Sequence, residues 1–203
     1  IKINLPGVKN GFIKNIKVPL IGLHNIRNST AAAAIAFSIG IPNKIIKKGL
    51  EKFSGVQRRF TKVFSFNNVP FFDDYAHHPT EIKEVLDGVR EVYKDKEIEC
   101  VFQPHRISRL KNLHLEFSKS FKKANTLILC PIYKAGENIK LGFTYKSFAK
   151  KIIKNSKVKL ILINNNMDLI NYVKHNIYGN KIVIGMGAGS ISNWIRNLPK
   201  FIK

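Results

Sequence analysis

Cysteine and acidic side chains are scarce in this sequence, and each shortage excludes a class of protein. Only two cysteines, Cys100 and Cys130, occur among the 203 residues, and they form neither a CxxC pair nor a metal-ligand spacing. Disulfide-dense scaffolds and zinc modules are therefore excluded. Both cysteines lie in apolar, β-branched runs, so we expect buried, reduced thiols. No apolar run approaches the roughly 20 residues that cross a bilayer, which predicts a cytoplasmic protein without a membrane span.

The shortage of acids leaves an excess of positive charge. Lysine and arginine total 35 against 13 aspartates and glutamates, which gives a formal net charge of +22 at pH 7. Such a charge is typical of proteins that bind nucleic acid or acidic membranes. The lysines are scattered along the whole chain, however, and no aromatic-interleaved RNA-binding signature accompanies them. We therefore interpret the charge as a compositional bias that favours small polyanions such as nucleotides, and expect no nucleic-acid partner.

Two further absences concern phosphate binding and the start of the chain. No GxxxxGK[ST] phosphate loop occurs, although catalysis with ATP normally uses such a cradle together with magnesium. The first residue is Ile1, and the opening stretch carries no signal-peptide pattern. We therefore expect a fragment of a longer protein.

From residue 61 onward the sequence alternates strand-like and helix-like segments. Two strand-like runs, residues 61–66 and 69–73, flank Asn67 and Asn68 and predict a hairpin. The alternation that follows predicts an α/β fold with a mostly parallel sheet and right-handed crossovers. Predicted helices span residues 79–93, 113–123, 145–154 and 167–176, and predicted strands span residues 99–103, 126–130, 158–163 and 181–185.

The first part of the chain has a different pattern. Short apolar pieces in residues 3–21 favour a small β element. An alanine-rich run at residues 31–39 predicts a helix, and Asn43 is positioned to cap a second one. Because the pattern changes after this second helix, we place a domain boundary there, dividing residues 1–55 from residues 56–203.

The segment that opens the alanine-rich helix contains His24, Asn25 and Asn28. An asparagine amide carries both a donor and an acceptor, so it can recognise the edge of an adenine ring. The alternative is that Asn25 simply caps the helix.

Polar residues gather where ligands bind in parallel α/β sheets, at the carboxyl ends of strands. Residues 73–78, 104–106, 133–137 and 187–189 each follow one of the predicted strands. We therefore expect these four stretches to converge at one edge of the sheet.

Residues 73–81 are the most informative of these stretches. Asp74 could accept a hydrogen bond from a ribose hydroxyl, and a histidine such as His77 could hydrogen-bond a substrate or hold a developing charge. Pro79 suits the first position of a helix. Adjacent histidines are poor ligands for a single ion, so no metal site is predicted here.

Two groups of arginines suit anionic ligands. Arg106 and Arg109 lie three residues apart and share a face if their turn is helical, so with His105 they could bind a carboxylate and a phosphate. Arg58 and Arg59 also suit a phosphate or carboxylate, with an ordinary surface pair as the alternative.

A glycine-rich stretch, residues 185–189, suggests a dinucleotide-binding turn. The full pattern fails because Ser190 stands where another glycine is needed. A tight turn from strand to helix is the better interpretation, with an anion near its amides as an option.

Taken in order, these segments resemble the Mur ligase family over nearly the whole chain. Residues 22–28 resemble its adenine-contacting segment, and residues 55–60 resemble the junction into its carboxy-terminal domain. Residues 73–81 resemble the alanine-adding member's version of that domain's first signature. Residues 103–109 distinguish this member from a sister enzyme that attaches recycled tripeptide to the same sugar.

The resemblance implies a Rossmann-like, mostly parallel sheet in residues 56–203, preceded in residues 1–55 by the tail of a central ATPase domain. It implies a bacterial, cytoplasmic ligase that uses ATP and magnesium to join L-alanine to UDP-N-acetylmuramate through an acyl phosphate. The implied ATP contacts are His24, Asn25, Asn28, Arg59, Asp74 and Tyr75. The implied catalytic residues, which would orient L-alanine and the acyl phosphate, are His77, His105, Arg106 and Arg109.

The resemblance also implies that important parts are missing. The UDP-binding domain, the phosphate loop and the metal-holding residues have no counterpart in these 203 residues, so we expect the chain alone to be inactive. Three alternatives stay open: the tripeptide-attaching sister enzyme, a free-standing nucleotide-binding domain that uses residues 185–189, and a basic nucleic-acid-binding module.

Overall fold

The structure, a computed structural model, describes residues 3–4 and 12–202. The chain divides into two compact units, Ile1–Gly55 and Val56–Lys203, which differ in size and in core. Among the described residues, no helix is both long enough and apolar enough to cross a membrane.

The first unit contains two helices and a short strand pair. β1 (Ile3–Asn4) pairs antiparallel with β2 (Phe12–Ile13), within the stretch predicted to form a β element. The intervening residues of that prediction lie outside the described residues. α1 (Leu23–Ser38) and α2 (Asn43–Lys52) follow. The small core of this unit consists of Ile13, Ile16, Ala33 and Ile46.

Both helix caps considered from the sequence are wrong. Asn43 is the first residue of α2, and Pro42 precedes it at φ −60° and ψ 139° without a side-chain cap. The proline ring favours that φ, so the extended residue is Pro42 and the helix begins one position later. In α1 the N-cap is Gly22, and the Asn25 side-chain amide donates to the carbonyl of Ile21 at 2.7 Å.

The second unit is built on a six-stranded sheet with the order β3-β4-β8-β5-β6-β7. β3 and β4 are antiparallel, and every other neighbouring pair is parallel, so the predicted α/β class and mostly parallel sheet are confirmed. The strands are β3 (Thr61–Phe66), β4 (Val69–Asp74), β5 (Glu97–Phe102), β6 (Thr126–Leu129), β7 (Lys159–Leu162) and β8 (Lys181–Met186).

The predicted hairpin joins β3 to β4. Asn67 and Asn68 have φ of 49° and 61°, the left-handed values that a two-residue hairpin turn requires at both central positions. Asparagine tolerates this conformation better than most residues. The hairpin places the antiparallel strand β3 at the edge of the sheet.

Helices cover both faces of the sheet and bury two apolar clusters. Alternate side chains of β5 enter different clusters: Cys100 and Phe102 enter one, and Val101 enters the other. Both cysteines are free and buried, as predicted. The helices are α3 (Pro79–Val92), α4 (Ile107–Asn112), α5 (His114–Lys119), α6 (Tyr145–Ser156), α7 (Asn166–Asn176) and α8 (Ile191–Asn197), followed by a short 3₁₀ turn (Leu198–Lys200).

The helix predicted for residues 113–123 is confirmed only in part. α5 covers residues 114–119 of it, and Leu113, at φ −115° and ψ 22°, separates α5 from α4. The buried ring of Phe121 lies beyond the end of α5, where it packs in the larger apolar cluster. The helix therefore ends four residues earlier than predicted.

Parallel pairing sets the place of the candidate site. β4, β8, β5 and β6 are consecutive neighbours and run in the same direction, so their carboxyl ends meet at one edge. The polar stretches noted in the sequence follow these four strands.

Candidate active site

Asp74 is the last residue of β4 and fixes the backbone around it. Its side chain accepts hydrogen bonds from the amides of Phe60 and Ala76, each at 2.7 Å, and the residue is 2% exposed. The amide of Tyr75 donates to the carbonyl of Arg58 at 2.7 Å. These bonds join the start of the second unit to the loop that leaves β4. The predicted contact between Asp74 and a ribose stays a prediction.

Arg58 and Arg59 differ in their surroundings. Arg58 donates from Nη2 to the carbonyl of Gly187 at 2.7 Å, and its guanidinium carbon lies 4.6 Å from the centre of the Tyr75 ring. Its Nε is buried and has no hydrogen-bond partner among the described residues. The exposed Arg59 lies farther from the same ring, at 5.7 Å. Arg58 therefore supports Tyr75, whereas Arg59 is available to an anion.

The start of α3 is capped by its own residues. The Glu81 carboxylate accepts from the amides of His77 and His78 at 3.0 and 3.2 Å, and His78 Nδ1 accepts from the amide of Thr80 at 3.4 Å. Pro79 occupies the first turn, as predicted. The hydrogen bond from His77 is the largest cause that lowers the pKa of Glu81 to about 2, against the opposing effect of burial.

The same contacts determine which ring nitrogen of His77 can meet a ligand. Nδ1 lies 2.9 Å from the carbonyl of Tyr75 and 3.2 Å from Oε2 of Glu81. Both neighbours are acceptors, so Nδ1 carries a proton. In neutral His77, therefore, Nε2 is an acceptor.

His105 has the complementary arrangement. Arg109 donates from Nη1 to Nδ1 of His105 at 3.3 Å and to its carbonyl at 3.2 Å. Burial, followed by the charge of Arg109, lowers the pKa of His105 and favours the neutral ring. Since Nδ1 accepts from a guanidinium, the proton of the neutral ring lies on Nε2, which is a donor.

Four rings form a row across this edge of the sheet. The ring centres of Tyr75 and His77 are 5.1 Å apart, and those of His77 and His105 are 5.8 Å apart, both edge-to-face. His105 stacks on Tyr133 at 5.5 Å with an interplanar angle of 9°. The structure thus brings together the two histidines singled out in the sequence, with Arg58 next to the Tyr75 ring and Arg109 next to the His105 ring.

Arg106 immediately precedes α4. Its φ of 72° is unusual for a residue other than glycine, and its side chain is 54% exposed. The carboxylate of Glu137 lies 3.9 Å from its Nη1. The exposed guanidinium is therefore accessible to an anionic ligand.

The glycines after β8 are required by close packing. A Cβ at Gly187, whose φ is 147°, would lie 2.8 Å from the carbonyl oxygen of Gln103. A Cβ at Gly189 would lie 2.6 Å from both Oε1 of Gln103 and Cγ of Tyr133. Gln103 also accepts from the amide of Ile191 at 3.0 Å. Protein atoms thus occupy the space next to these glycines, as expected for a tight turn from strand to helix.

The adenine-contacting candidates lie in the first unit, near the start of α1. Asn28 is exposed, and Nδ1 of His24 is buried without a hydrogen-bond partner among the described residues. Asn25 is partly occupied by its bond to Ile21. The structure groups these three residues on one helical segment, and their contact with adenine stays a prediction.

Sequence reasoning paired Arg58 with Arg59 as an anion ligand, and it gave no individual role to Gln103, Tyr133 or Glu137, although all four shape this site. Their positions after strands or next to chosen residues were visible in the sequence. Their contacts, however, join segments that are distant along the chain, and no local pattern reports such pairs.

Comparison with known proteins identifies the family of this chain. The family model described as "Mur ligase, glutamate ligase domain" matches residues 58–189. The UDP-N-acetylmuramate–L-alanine ligase of Pelagibacter ubique is 63% identical over 200 residues, which is 98% of this chain. The chain belongs to the Mur ligase family.

Other Mur ligases support the assignment. The UDP-N-acetylmuramate–L-alanine ligase of Bartonella tribocorum is 41% identical over 92% of this chain. The crystal structure of the Thermotoga maritima UDP-N-acetylmuramate–alanine ligase superposes with a TM-score of 0.74 and 27% identity, covering 91% of this chain and 39% of that one. The chain spans 43% of the length of the Pelagibacter ligase and 39% of the Bartonella ligase.

Proposed function

We propose that this chain is part of an ATP-dependent ligase that adds L-alanine to UDP-N-acetylmuramate, a step in bacterial peptidoglycan precursor synthesis in the cytoplasm. The observation that carries the proposal is the adjacent His77–His105 pair, flanked by Arg106 and Arg109. The names of the similar Mur ligases support the choice of L-alanine over the recycled tripeptide.

The proposed chemistry has two steps. ATP phosphorylates the carboxylate of UDP-N-acetylmuramate, giving an acyl phosphate and ADP. The amine of L-alanine then attacks the acyl carbon, an amide bond forms, the carbon–oxygen bond to phosphate breaks, and the amine loses a proton. Orientation of the amine and neutralisation of the phosphate charge are what the protein must supply.

The two histidines suit different parts of this reaction. Nε2 of neutral His77 can accept a hydrogen bond from the amine, and Nε2 of neutral His105 can donate one to an oxygen of the acyl phosphate. Arg106 and Arg109 would bind the carboxylate of L-alanine and the phosphate oxygens. In this assignment His77 orients the amine and His105 orients the acyl phosphate.

Nucleotide contacts are proposed for each unit by itself. In the first unit, Asn28 would contact adenine, and His24 and Asn25 would line that pocket. In the second unit, Tyr75, fixed by Arg58, would flank adenine, Asp74 would contact the ribose, and Arg59 would bind phosphate. That the first unit is the tail of a central ATP-binding domain is part of the same proposal.

In residues 3–4 and 12–202, no group of three or more His, Cys, Asp or Glu side chains could hold a metal ion. Magnesium that accompanies ATP is usually held by phosphate oxygens, water and one or two carboxylates. In this proposal most of its protein ligands come from the part of the ligase that the relatives have beyond these 203 residues.

The test is a hybrid ligase. The part of the Pelagibacter ubique ligase that this chain does not cover is joined to this chain, and ADP release is measured with ATP, UDP-N-acetylmuramate and L-alanine. We expect turnover that depends on L-alanine, and none from the 203-residue chain alone.

Three results would count against the proposal. Turnover by the chain alone would remove the expectation that it is inactive. A hybrid that accepts tripeptide in place of L-alanine would favour the sister activity. A hybrid that binds both ATP and UDP-N-acetylmuramate but adds neither amine would overturn the ligase assignment.

A further inference from the structure

The helix that carries Arg109 has no cap of its own. α4 has only six residues, and its N-cap, Arg106, makes no side-chain capping bond. A helix this short is unstable in isolation, because nucleation is costly and few hydrogen bonds follow. The unpaired amides at its start therefore need a partner from elsewhere.

Glu137 is that partner. Its Oε2 accepts from the amide of Ser108 at 2.9 Å, and its Oε1 accepts from the Ser108 hydroxyl at 2.5 Å, across 29 residues of sequence. A carboxylate at a helix start also interacts favourably with the helix dipole. Glu137 thus caps α4 from another loop.

Backbone bonds hold the loop of Glu137 against the loop that leads into α4. The amide of Tyr133 donates to the carbonyl of Pro104 at 2.8 Å, and the amide of Arg106 donates to the carbonyl of Tyr133 at 2.9 Å. Ala135 and Gly136, with φ of 52° and 82°, then turn the chain back toward α4. The same backbone bonds place the Tyr133 ring against the His105 ring.

We propose that Glu137 is a positioning residue, which caps α4 and so holds Arg106, Arg109 and His105 in the arrangement that binds the anionic end of the substrates. Its role in catalysis rests on the ligase function proposed above. Its role in the geometry does not, because every contact named lies within the second unit.

The charges around the loop agree with this role. The hydrogen bond from the Ser108 hydroxyl is the largest cause that lowers the pKa of Glu137, so the cap stays ionised at neutral pH. The charge of Glu137 opposes the burial and the arginines that lower the pKa of His105. Removing that charge should therefore lower the pKa of His105 further.

The experiment uses NMR on the 203-residue chain and its variants E137A and E137Q, with E116Q as the control. Glu116 is an exposed carboxylate on α5. In E137A we expect amide hydrogen exchange of Leu110 to be about tenfold faster, because a charged cap is lost, together with loss of the contact between the His105 and Tyr133 rings. E116Q should match the parent chain in both.

E137Q separates capping from charge. Its amide oxygen can still accept from Ser108, so exchange of the Leu110 amide should be only about threefold faster. The His105 titration should nevertheless shift to lower pH, which a purely structural role of Glu137 would not produce.

Unchanged Leu110 exchange and unchanged ring contact in a folded E137A chain would overturn the proposal. If E137A fails to fold, E137Q decides, and a Leu110 exchange rate and a His105 titration both identical to those of the parent would overturn it. Neither reading depends on turnover, so an inactive hybrid ligase would count against the proposed function and leave this result standing.

Discussion

The starts of α3 and α4 lie at the same edge of the sheet but are stabilised in opposite ways. α3 is capped by residues of its own segment, with Glu81 returning to the amides of His77 and His78. α4 is capped by Glu137, which comes from a different loop. A local cap holds its histidine regardless of the rest of the fold, whereas a remote cap depends on correct docking of two loops. Arg106 and Arg109, which are proposed to bind anions, belong to the second kind.

The largest effect should come from replacing Arg109 on α4, the helix that Glu137 caps from another loop. In the hybrid ligase, R109A should lower kcat/KM for L-alanine by about 100-fold, because a charged donor to the reacting anion and the support of His105 are both lost. H78N is the matched change at the start of α3, since asparagine can still cap. Steady-state kinetics with equal losses in both variants would contradict the difference between the two helix starts.

A second substitution should remove hydrogen bonds of Asp74, the buried carboxylate that fixes the backbone before α3. D74N removes a charge and one of two amide acceptors at a buried position, and should lower the free energy of unfolding by about 2 kcal/mol. Urea unfolding followed by Trp194, the single tryptophan, reports on the second unit. D87N is the control, because within the described part of the chain the Asp87 carboxylate pairs at the surface with Lys83 alone. A loss in D74N no greater than in D87N would refute the anchoring role.

The local cap should show a pH dependence. The folded pKa of Glu81 is about 2, below its ordinary value of 4.5, so its ionised form stabilises the fold above about pH 4.5 and loses this effect as pH falls toward 2. E81Q should therefore lower the free energy of unfolding by about 1 kcal/mol at pH 7, since Glu81 is partly exposed. The difference from the parent should shrink between pH 5 and 2; a constant difference would exclude the ionisation as its source.

The smallest effect should come from S108A. The variant loses the hydroxyl bond to Glu137 but keeps the amide bond, so the expected loss is about 0.5–1 kcal/mol by urea unfolding. S147A provides a comparison on α6, where the Ser147 hydroxyl bonds only the carbonyl of Thr144 within its own turn. An S108A loss above about 2 kcal/mol would mean that the hydroxyl, not the amide, is the main contact of the cap.

Local patterns predicted much of the second unit. The hairpin at Asn67 and Asn68, the start of α3 at Pro79 and the alternation of strands with helices were all read from neighbouring residues, and all are present. The prediction for residues 113–123 was right only for residues 114–119, because the chain leaves the helix before Phe121, whose ring is buried in the core.

The candidate site was predictable only in part. That polar residues would gather at the carboxyl ends of the strands follows from parallel topology. Parallel topology does not determine which of two neighbouring polar residues takes which role. Arg58 is fixed by Gly187, and Arg59 is not, although the two are adjacent and identical in type.

The neighbouring acids Asp73 and Asp74 show where the sequence stops being sufficient. Their order in a strand determines that they lie on opposite faces of the sheet. Only the tertiary structure decides that Asp73 accepts from Ser192 at 2.6 Å and from Arg196 at 3.0 Å, while Asp74 secures the loop of the candidate site. By itself the sequence determined the strands, most of the helices and the edge where the polar residues gather, because those follow from backbone geometry and short-range hydrogen bonds. The partners of each charged side chain, including the cap that Glu137 gives to α4, were decided by tertiary packing, because they join segments that only the folded sheet brings together.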